Sequence, residues 1–465
     1  MNHAKPYFFC GIGGSGMLPL ACIVRAQGHE VSGSDRALDQ GRVAEKFDFL
    51  QSRGIGLFPQ GGSGVTSAHQ LLVTSAAVEE TVPDVQAAIR VGAERITRPQ
   101  LLARLFNAAR TGIACGGTSG KSTTTGMIGW ILHALGRDPT VMNGAVMKNF
   151  VTPDTPFASA LVGSGDMFVS EVDESDGSIS LYEPRIAVLG NVTLDHKSMD
   201  ELRSLFLGFV SRAEVAVLNL DDAETRLLAR QVAPERLTTF SFSDEQADLL
   251  GGNLVEEPLA ISFSASRRAS GEAVQVRLAV PGRHNASNAL SALAAVSAVG
   301  VNLGEAAEAL AGFSGLRRRF EVVGTRNGIS VIDDFAHNPD KITATLSTLH
   351  AFPGRLLVLF QPHGYGPLRS MRQELIDCFA EQLDVDDILI MPDPVYHGGT
   401  TSRDVGSGEI VQGVRAARRL AEHVADRAAA GGRLAEHARP GDRIIVMGAR
   451  DDSLSAFAAD LLARL

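Results

Sequence analysis

The chain has 465 residues, 45% of them hydrophobic, and carries 43 basic against 53 acidic side chains for a formal charge of −10. That length exceeds one compact core and predicts about three domains, while the acidic balance leaves no basic stripe for nucleic acid or anionic lipid, so phosphate recognition has to be local. The cysteines Cys10, Cys22, Cys115 and Cys378 lack metal-ligand spacing and no run of about 18 apolar residues occurs, which predicts a cytoplasmic protein with neither signal peptide nor membrane span.

Apolar runs of strand length alternate with Ala- and Leu-rich helical stretches throughout, which predicts the α/β class, with parallel sheets covered by helices on both faces. A first unit, residues 1–106, holds strands at Tyr7–Gly11, Glu30–Gly33 and Leu71–Thr74. Its opening strand runs into Gly11-Ile12-Gly13-Gly14-Ser15-Gly16, and Asp35 follows about 20 residues on, after the next strand. This is the dinucleotide fingerprint, in which glycines let backbone N–H groups approach a diphosphate at a helix N-terminus. Tight turns that only pack a helix on a sheet give the same pattern, so the match is weak by itself.

A second unit, residues 107–315, starts with the apolar run Gly112–Cys115 and continues into Gly116-Gly117-Thr118-Ser119-Gly120-Lys121-Ser122-Thr123-Thr124-Thr125. Strand, glycine-rich turn and helix in that order build a phosphate cradle. Lys121 neutralises phosphate charge and the Ser122 hydroxyl can face a magnesium ion, so the chain is expected to handle a nucleoside triphosphate, although Cys115 stands where the strict pattern has its first glycine. Strands are predicted at Met167–Val172, Ile186–Asn191, Val215–Asn219 and Val274–Val280, a loop-like or edge-like segment at Leu254–Gly271, and a helical run from Asn288 to Val299.

The acidic end of one strand, Glu171-Val172-Asp173-Glu174-Ser175-Asp176, places four carboxylates within six residues. Magnesium wants hard oxygen ligands, so Glu171 is the first choice to bind it beside the phosphate loop; a solvated acidic loop is the alternative. Asp195-His196 ends another strand, where a lone histidine is more often hydrogen-bonded than a ligand. His284, Asn285 and Asn288 lie at the mouth of an alanine-rich helix and could read a purine edge, with helix capping by Asn285 as the alternative.

The third unit, residues 316–465, alternates strands at Ile329–Ile332, Leu356–Phe360, Ile388–Met391 and Ile444–Met447 with helix-like sequence. Arg317, Arg318 and Arg319 precede its first strand and Asp333-Asp334-Phe335-Ala336-His337-Asn338-Pro339 ends it. Such arginines are surface charge or a clamp on a transferring phosphoryl group.

Taken in order, these motifs, with Phe360-Gln361-Pro362-His363, resemble the Mur ligase family of ATP-dependent amide ligases over essentially the whole chain. The likeness is to the branch that adds an amino acid directly to UDP-N-acetylmuramate, or to its recycling relative that adds a preformed tripeptide. It implies a Rossmann-like UDP-sugar domain, a central ATPase domain and a Rossmann-like C-terminal domain that supplies the amine. It further implies ATP and Mg2+ as cofactors, a UDP-linked sugar acid and an amine as partners, and a monomer or homodimer. By motif match Gly117, Thr118, Ser119, Gly120, Lys121, Ser122 and Thr123 hold the phosphates, Ser122, Glu171 and His196 bind magnesium, and Arg319 reaches the γ-phosphate. His284, Asn285, Asn288, Asp334 and His337 are assigned to ATP, and Gly11, Gly13, Gly14, Ser15, Gly16, Ser34, Asp35 and His363 to the substrates. Lys121, Glu171, His196 and Arg319 are the expected catalytic set.

The sequence departs from the resemblance where Gly364-Tyr365-Gly366-Pro367 replaces a basic, Thr-rich run that helps position alanine. Two other readings stay open: an NAD(P)-dependent oxidoreductase, which leaves the Lys121 loop without a task, and a nucleotide-binding protein that has lost ligation.

Overall fold

The computed structural model describes residues 5–75, 78–194, 197–395, 403–451 and 453–465. The architecture is α/β in three domains, each built on a mainly parallel sheet, as the alternation of apolar runs and helices predicts. In the first sheet the order is Gly56–Phe58, Val31–Ser34, Tyr7–Cys10, Leu71–Thr74 and Glu94–Thr97, with every pairing parallel. Phe8, Phe9 and Cys10 are fully buried in its middle strand, which is why that strand reads as an unbroken apolar run rather than an alternating one.

The central sheet has ten strands in the order Ala273–Leu278, Ala260–Arg267, Leu249–Glu257, Leu237–Ser241, Val215–Asn219, Ile186–Leu189, Thr111–Gly116, Met167–Glu171, Thr140–Met142 and Ala160–Leu161. Thr111–Gly116 thus lies between Met167–Glu171 and Ile186–Leu189, with Cys115 level with Glu171 and Gly116 level with Leu189. The segment Leu254–Gly271 proves to be mostly strand rather than loop, since it holds the end of Leu249–Glu257 and all of Ala260–Arg267, the third and second strands from one edge of this sheet. The alanine-rich helix starts at Arg283, five residues before the expected Asn288, so both asparagines lie inside it rather than before it.

Helix Arg98–Ala108 ties the first sheet to the second. Thr97 and Gln100 close a capping box at its start, which satisfies two amides that the first helical turn leaves free. Near its end Phe106, fully buried, meets Phe168 at 5.7 Å and Tyr182 at 5.1 Å, both edge to face. A Cβ on Gly112 would lie 2.6 Å from the Phe106 ring, so the glycine that opens the central strand makes room for it. Replacing such a ring with alanine costs about 3–5 kcal/mol.

Clustered by contacts, the chain forms two compact units: one of residues 1–253, 263–277 and 287–314, the other of residues 254–262, 278–286 and 315–465. The sheet of the second unit has the order Glu321–Arg326, Ile329–Asp334, Arg443–Gly448, Leu356–Gln361, Ile388–Met391 and Leu420–His423. Only its first strand is antiparallel to its neighbour. The core on one face takes Ile342, Leu346, Leu375 and Ile410, and that on the other takes Ala430, Leu434, Leu454 and Leu461. Arg443–Gly448 and Leu356–Gln361 are therefore adjacent strands followed by helices on opposite faces, the arrangement that opens a crevice at the carboxyl ends of a parallel sheet.

Candidate active site

The loop between Thr111–Gly116 and helix Lys121–Ala134 is shaped by two glycines of positive φ, Gly117 at +125° and Gly120 at +80°. Cys115 belongs to the strand, fully buried, and its thiol is pushed up to about 12 by burial. The turn starts after it, so no glycine is required at that position. Gly120 caps the helix with no side-chain partner, which leaves the first amides of the helix pointing outward, together with the positive end of the helix dipole.

The strand on each side holds this loop. Asn191 accepts from the Thr118 hydroxyl and the Ser119 amide, both at 2.9 Å, and donates to the Ser119 carbonyl at 3.1 Å. Thr193 donates its amide to the Thr118 hydroxyl at 3.0 Å. On the opposite side the Ser122 hydroxyl donates to Glu171 at 2.6 Å, and the Asn143 amide supports the Ser122 carbonyl at 2.9 Å. A Cβ on Gly144 would fall 2.0 Å from a Glu171 oxygen, so that glycine admits the carboxylate. Asn143, Asn191 and Thr193 were not among the expected site residues; an asparagine closing an apolar strand is the signal that marks Asn191.

Lys121 donates to the Gly117 carbonyl at 2.7 Å and to Glu174 at 2.8 Å, and Glu174 is 3% exposed. The second Glu174 oxygen lies 3.1 Å from the same ammonium, so its three donors are all engaged and a phosphate oxygen has to share one of them or displace a partner. The crowded carboxylates of 171–176 are separated by their partners: Glu171 by Ser122, Glu174 by Lys121, Asp173 by the Ser175 amide at 2.9 Å and Asp176 by the Ser178 amide at 2.8 Å. Burial pushes the Asp173 carboxyl up, but the Ser175 hydrogen bonds and the charges of Lys121 and Arg98 outweigh it and hold the group below its usual range. Ser122 and Glu171 present hard oxygens side by side, the donor set that suits magnesium. The cradle also needs its glycines, since a Cβ on Gly117 would approach the Asn191 carbonyl to 3.1 Å. These residues therefore fit a magnesium triphosphate. Asp195 and His196 lie outside the described residues.

Asn288 sits behind this loop. Its side-chain oxygen faces the Thr124 hydroxyl at 3.4 Å and would lie 2.4 Å from a Cβ on Gly120. In the second unit, buried Asn285 donates to the Pro281 carbonyl at 2.7 Å and the His284 ring folds back over Gly282.

At the first glycine loop, Asp35 accepts from the Gly13 amide at 2.8 Å and from the Ala37 amide at 2.8 Å. It shapes the turn and caps a short helix at once. A Cβ on Gly13 would meet Asp35 and Phe47 at 3.1 Å. Ser34 is fully buried and gives its hydroxyl to Asp84 at 2.5 Å, so that hydroxyl braces the sheet edge from within.

In the second unit Arg318 and Arg319 both lie over the Phe335 ring but take different polar partners. Arg318 is buried at φ +59°, with its guanidinium on the Gly448 carbonyl at 2.6 Å and the Asp451 carbonyl at 2.9 Å. Arg319 lies 4.2 Å over the Phe335 ring. Asp334, assigned to the cofactor by sequence, accepts from the Phe320 amide at 3.0 Å and the Thr345 hydroxyl at 2.5 Å, both internal to this unit. His337 stands edge-on to His363 at 5.4 Å, and burial first, then Lys341, lowers its imidazole to about 3. Beyond them a cavity of about 360 Å³ opens at the strand ends, lined by Gln361, Asp393, Arg427, Asp451 and Ser453 among others. Arg427 is ion-paired with Asp451 and donates to the Ser453 hydroxyl at 2.7 Å.

Comparison with known proteins agrees with this geometry. Residues 6–110 match the Mur ligase family catalytic domain, 115–296 the Mur ligase middle domain and 318–450 the Mur ligase glutamate ligase domain. The chain is 34% identical to a UDP-N-acetylmuramate--L-alanine ligase of Cereibacter sphaeroides, over 99% of this chain and 96% of that one. Among solved structures, its fold is similar to a UDP-N-acetylmuramate-alanine ligase of Thermotoga maritima, with TM-score 0.77, 23% identity and 98% of each chain covered. It is also similar to a murein peptide ligase of Psychrobacter arcticus, with TM-score 0.68, 24% identity and coverage of 99% and 98%. No helix among the described residues is long and apolar enough to cross a membrane. With all three family domains matched in order, the chain belongs to the Mur ligase family of ATP-dependent amide-forming ligases.

Proposed function

We propose that this ligase joins the carboxylate of UDP-N-acetylmuramate to the amino group of L-alanine, with release of ADP and phosphate. The observation that carries the reading is the meeting of the Lys121 loop with Glu171 at the Ser122 hydroxyl, 2.6 Å apart, in a chain 34% identical over nearly its full length to ligases of that name. The proposed domain limits are 1–106 for the UDP-sugar, 107–315 for ATP and 316–465 for the amine, in a cytoplasmic monomer or homodimer.

The difficulty of the reaction is electrostatic. A carboxylate has to attack the γ-phosphorus of a triphosphate, and both are anions. Lys121 and the outward amides of the 117–123 loop hold the β- and γ-phosphates, Asn191 and Thr193 fix the loop, and Arg319 is assigned to the transferring group. Ser122 and Glu171, with His196, would hold magnesium, which when bound neutralises charge on the phosphate oxygens. The sugar carboxylate oxygen bonds to the γ-phosphorus as the bond to ADP breaks. The amine then attacks the resulting acyl phosphate, forms the amide, loses a proton and expels phosphate.

The acceptor carries a second reading, a preformed tripeptide in place of alanine. It is favoured by Gly364-Tyr365-Gly366-Pro367, which opens helix Tyr365–Ser370 where a basic run is expected. A cavity of about 360 Å³ is also within the range that takes ligands larger than one small amino acid. The test is ADP release from purified protein with UDP-N-acetylmuramate, magnesium, and either L-alanine, other amino acids or the tripeptide. Turnover only with L-alanine supports the first reading and turnover only with tripeptide the second. ADP release independent of both sugar and amine defeats ligation.

A further inference from the structure

The two phosphate loops differ in one respect that bears on the sugar nucleotide. The loop 11–16 carries no cation of its own. Its amides are unequally used: those of Gly11 and Ile12 bond the Ser34 carbonyl, that of Gly13 bonds Asp35 and that of Gly14 bonds the Gly11 carbonyl. Among the described residues the Ser15 and Gly16 amides have no such acceptor. A nucleotide diphosphate placed there needs its charge met by something else.

Arg98 stands at that point. A Cβ on Gly16 would lie 3.0 Å from its Cδ, 3.3 Å from its Nε and 3.4 Å from its Nη1, so the guanidinium lies directly against the last glycine of the loop. It opens helix Arg98–Ala108, which the capping box fixes at one end and Phe106 anchors in the central sheet at the other. Arg98 makes no hydrogen bond or ion pair among the described residues, yet its charge is felt at Asp173. Its position is therefore held through its backbone, and its donors are available.

We propose that Arg98 is a substrate-binding residue, whose guanidinium joins the free amides of Ser15 and Gly16 in holding the diphosphate of the UDP-linked substrate. An arginine suits the role because its planar donors pair with phosphate oxygens two at a time. The inference rests on the assignment of the first loop to a UDP-sugar and names the cation that assignment lacks.

Calorimetric titration tests it with UDP as the probe and, separately, a non-hydrolysable ATP analogue. In Arg98→Ala the affinity for UDP is expected to fall roughly tenfold or more, with Arg98→Lys in between and the ATP analogue bound as by the unaltered chain. In turnover the same variants raise KM for the UDP-sugar more than they lower kcat. Unchanged UDP affinity in Arg98→Ala overturns the inference while leaving the function reading intact. An equal loss for UDP and the ATP analogue also overturns it, since Arg98 then acts through the acidic strand tip. No UDP binding by the unaltered chain defeats the UDP-sugar reading, and the inference with it. Should Arg98→Ala fail to fold, Arg98→Gln and Arg98→Lys keep the aliphatic stem and carry the same comparison.

Discussion

The glycine loops at 11–16 and 116–122 are both strand-to-helix turns at the carboxyl edge of a parallel sheet, yet they are built to different standards. The second holds its cation, its hydroxyl and a carboxylate within one shell, with Lys121 on Glu174, Ser122 on Glu171 and Asn191 gripping the backbone. The first is shaped by one carboxylate, Asp35, and the cation proposed for it, Arg98, comes from a helix much later in the chain and lies against Gly16. The difference matches the work proposed for each. Where a phosphoryl group moves, charge has to stay fixed as it develops, which rewards preorganisation; where a diphosphate is only gripped, a borrowed arginine is enough.

The strongest way to break this comparison is at Lys121. In Lys121→Ala, ADP release should fall by about 10³-fold or more while UDP affinity stays unchanged, because only the second loop loses its charge. Removing the ammonium also strands Glu174, which is 3% exposed, and an unpaired buried charge costs about 3–5 kcal/mol. The double variant Lys121→Ala/Glu174→Gln should therefore regain most of the lost thermal stability and none of the activity. If UDP binding falls in step with ATP binding, the two loops are not independent. Next in size is Glu171→Gln. The amide oxygen can still accept from the Ser122 hydroxyl, so stability should change little, but a neutral ligand holds a dication less well. The expected outcome is a higher magnesium concentration for half-maximal turnover and a rate lowered by about 10²-fold at fixed magnesium.

Much of this was legible in the sequence, for reasons that can be located. Strands buried on both faces, such as Tyr7–Cys10 and Thr111–Gly116, are continuous apolar runs that end in glycines, so both loops announce themselves. Glu171 is legible because it directly ends such a run. The partners that tune the site are not, since they arrive from elsewhere in the chain: Asn143 from after a short strand, Asn191 from two residues past the neighbouring strand, and the proposed Arg98 from the first turn of a helix. Nothing in local spacing says which carboxylate in 171–176 meets Lys121. Asp35 is matched to the substrates by the dinucleotide pattern, and local spacing does not reveal that its two oxygens also accept from the Gly13 amide of the glycine loop and the Ala37 amide of its own turn. Asn288 reads as a purine contact, and local spacing does not reveal that its side-chain oxygen also faces Gly120 and Thr124. Composition likewise made Leu254–Gly271 ambiguous, because polar edge strands and loops draw on the same residues.

The finest test compares one glycine in each loop. Gly120 and Gly11 have nearly the same φ, +80° and +82°, so an added Cβ meets about 1–2 kcal/mol of strain from positive φ at either. Alanine also restricts the unfolded chain, which returns about 0.4–1 kcal/mol. What remains differs by surroundings. At Gly120 the Cβ would lie 2.4 Å from the Asn288 oxygen, while at Gly11 nothing lies within 4 Å. Gly120→Ala should therefore destabilise by more than Gly11→Ala and weaken ATP binding, and adding Asn288→Ala should recover part of both losses, because it removes the colliding atom. Gly11→Ala should shift the thermal midpoint by only a degree or a few, since about 1 kcal/mol in a chain this size moves it little. Equal losses at the two glycines would mean that backbone strain, and not the packing of Asn288 behind the triphosphate loop, sets the cost.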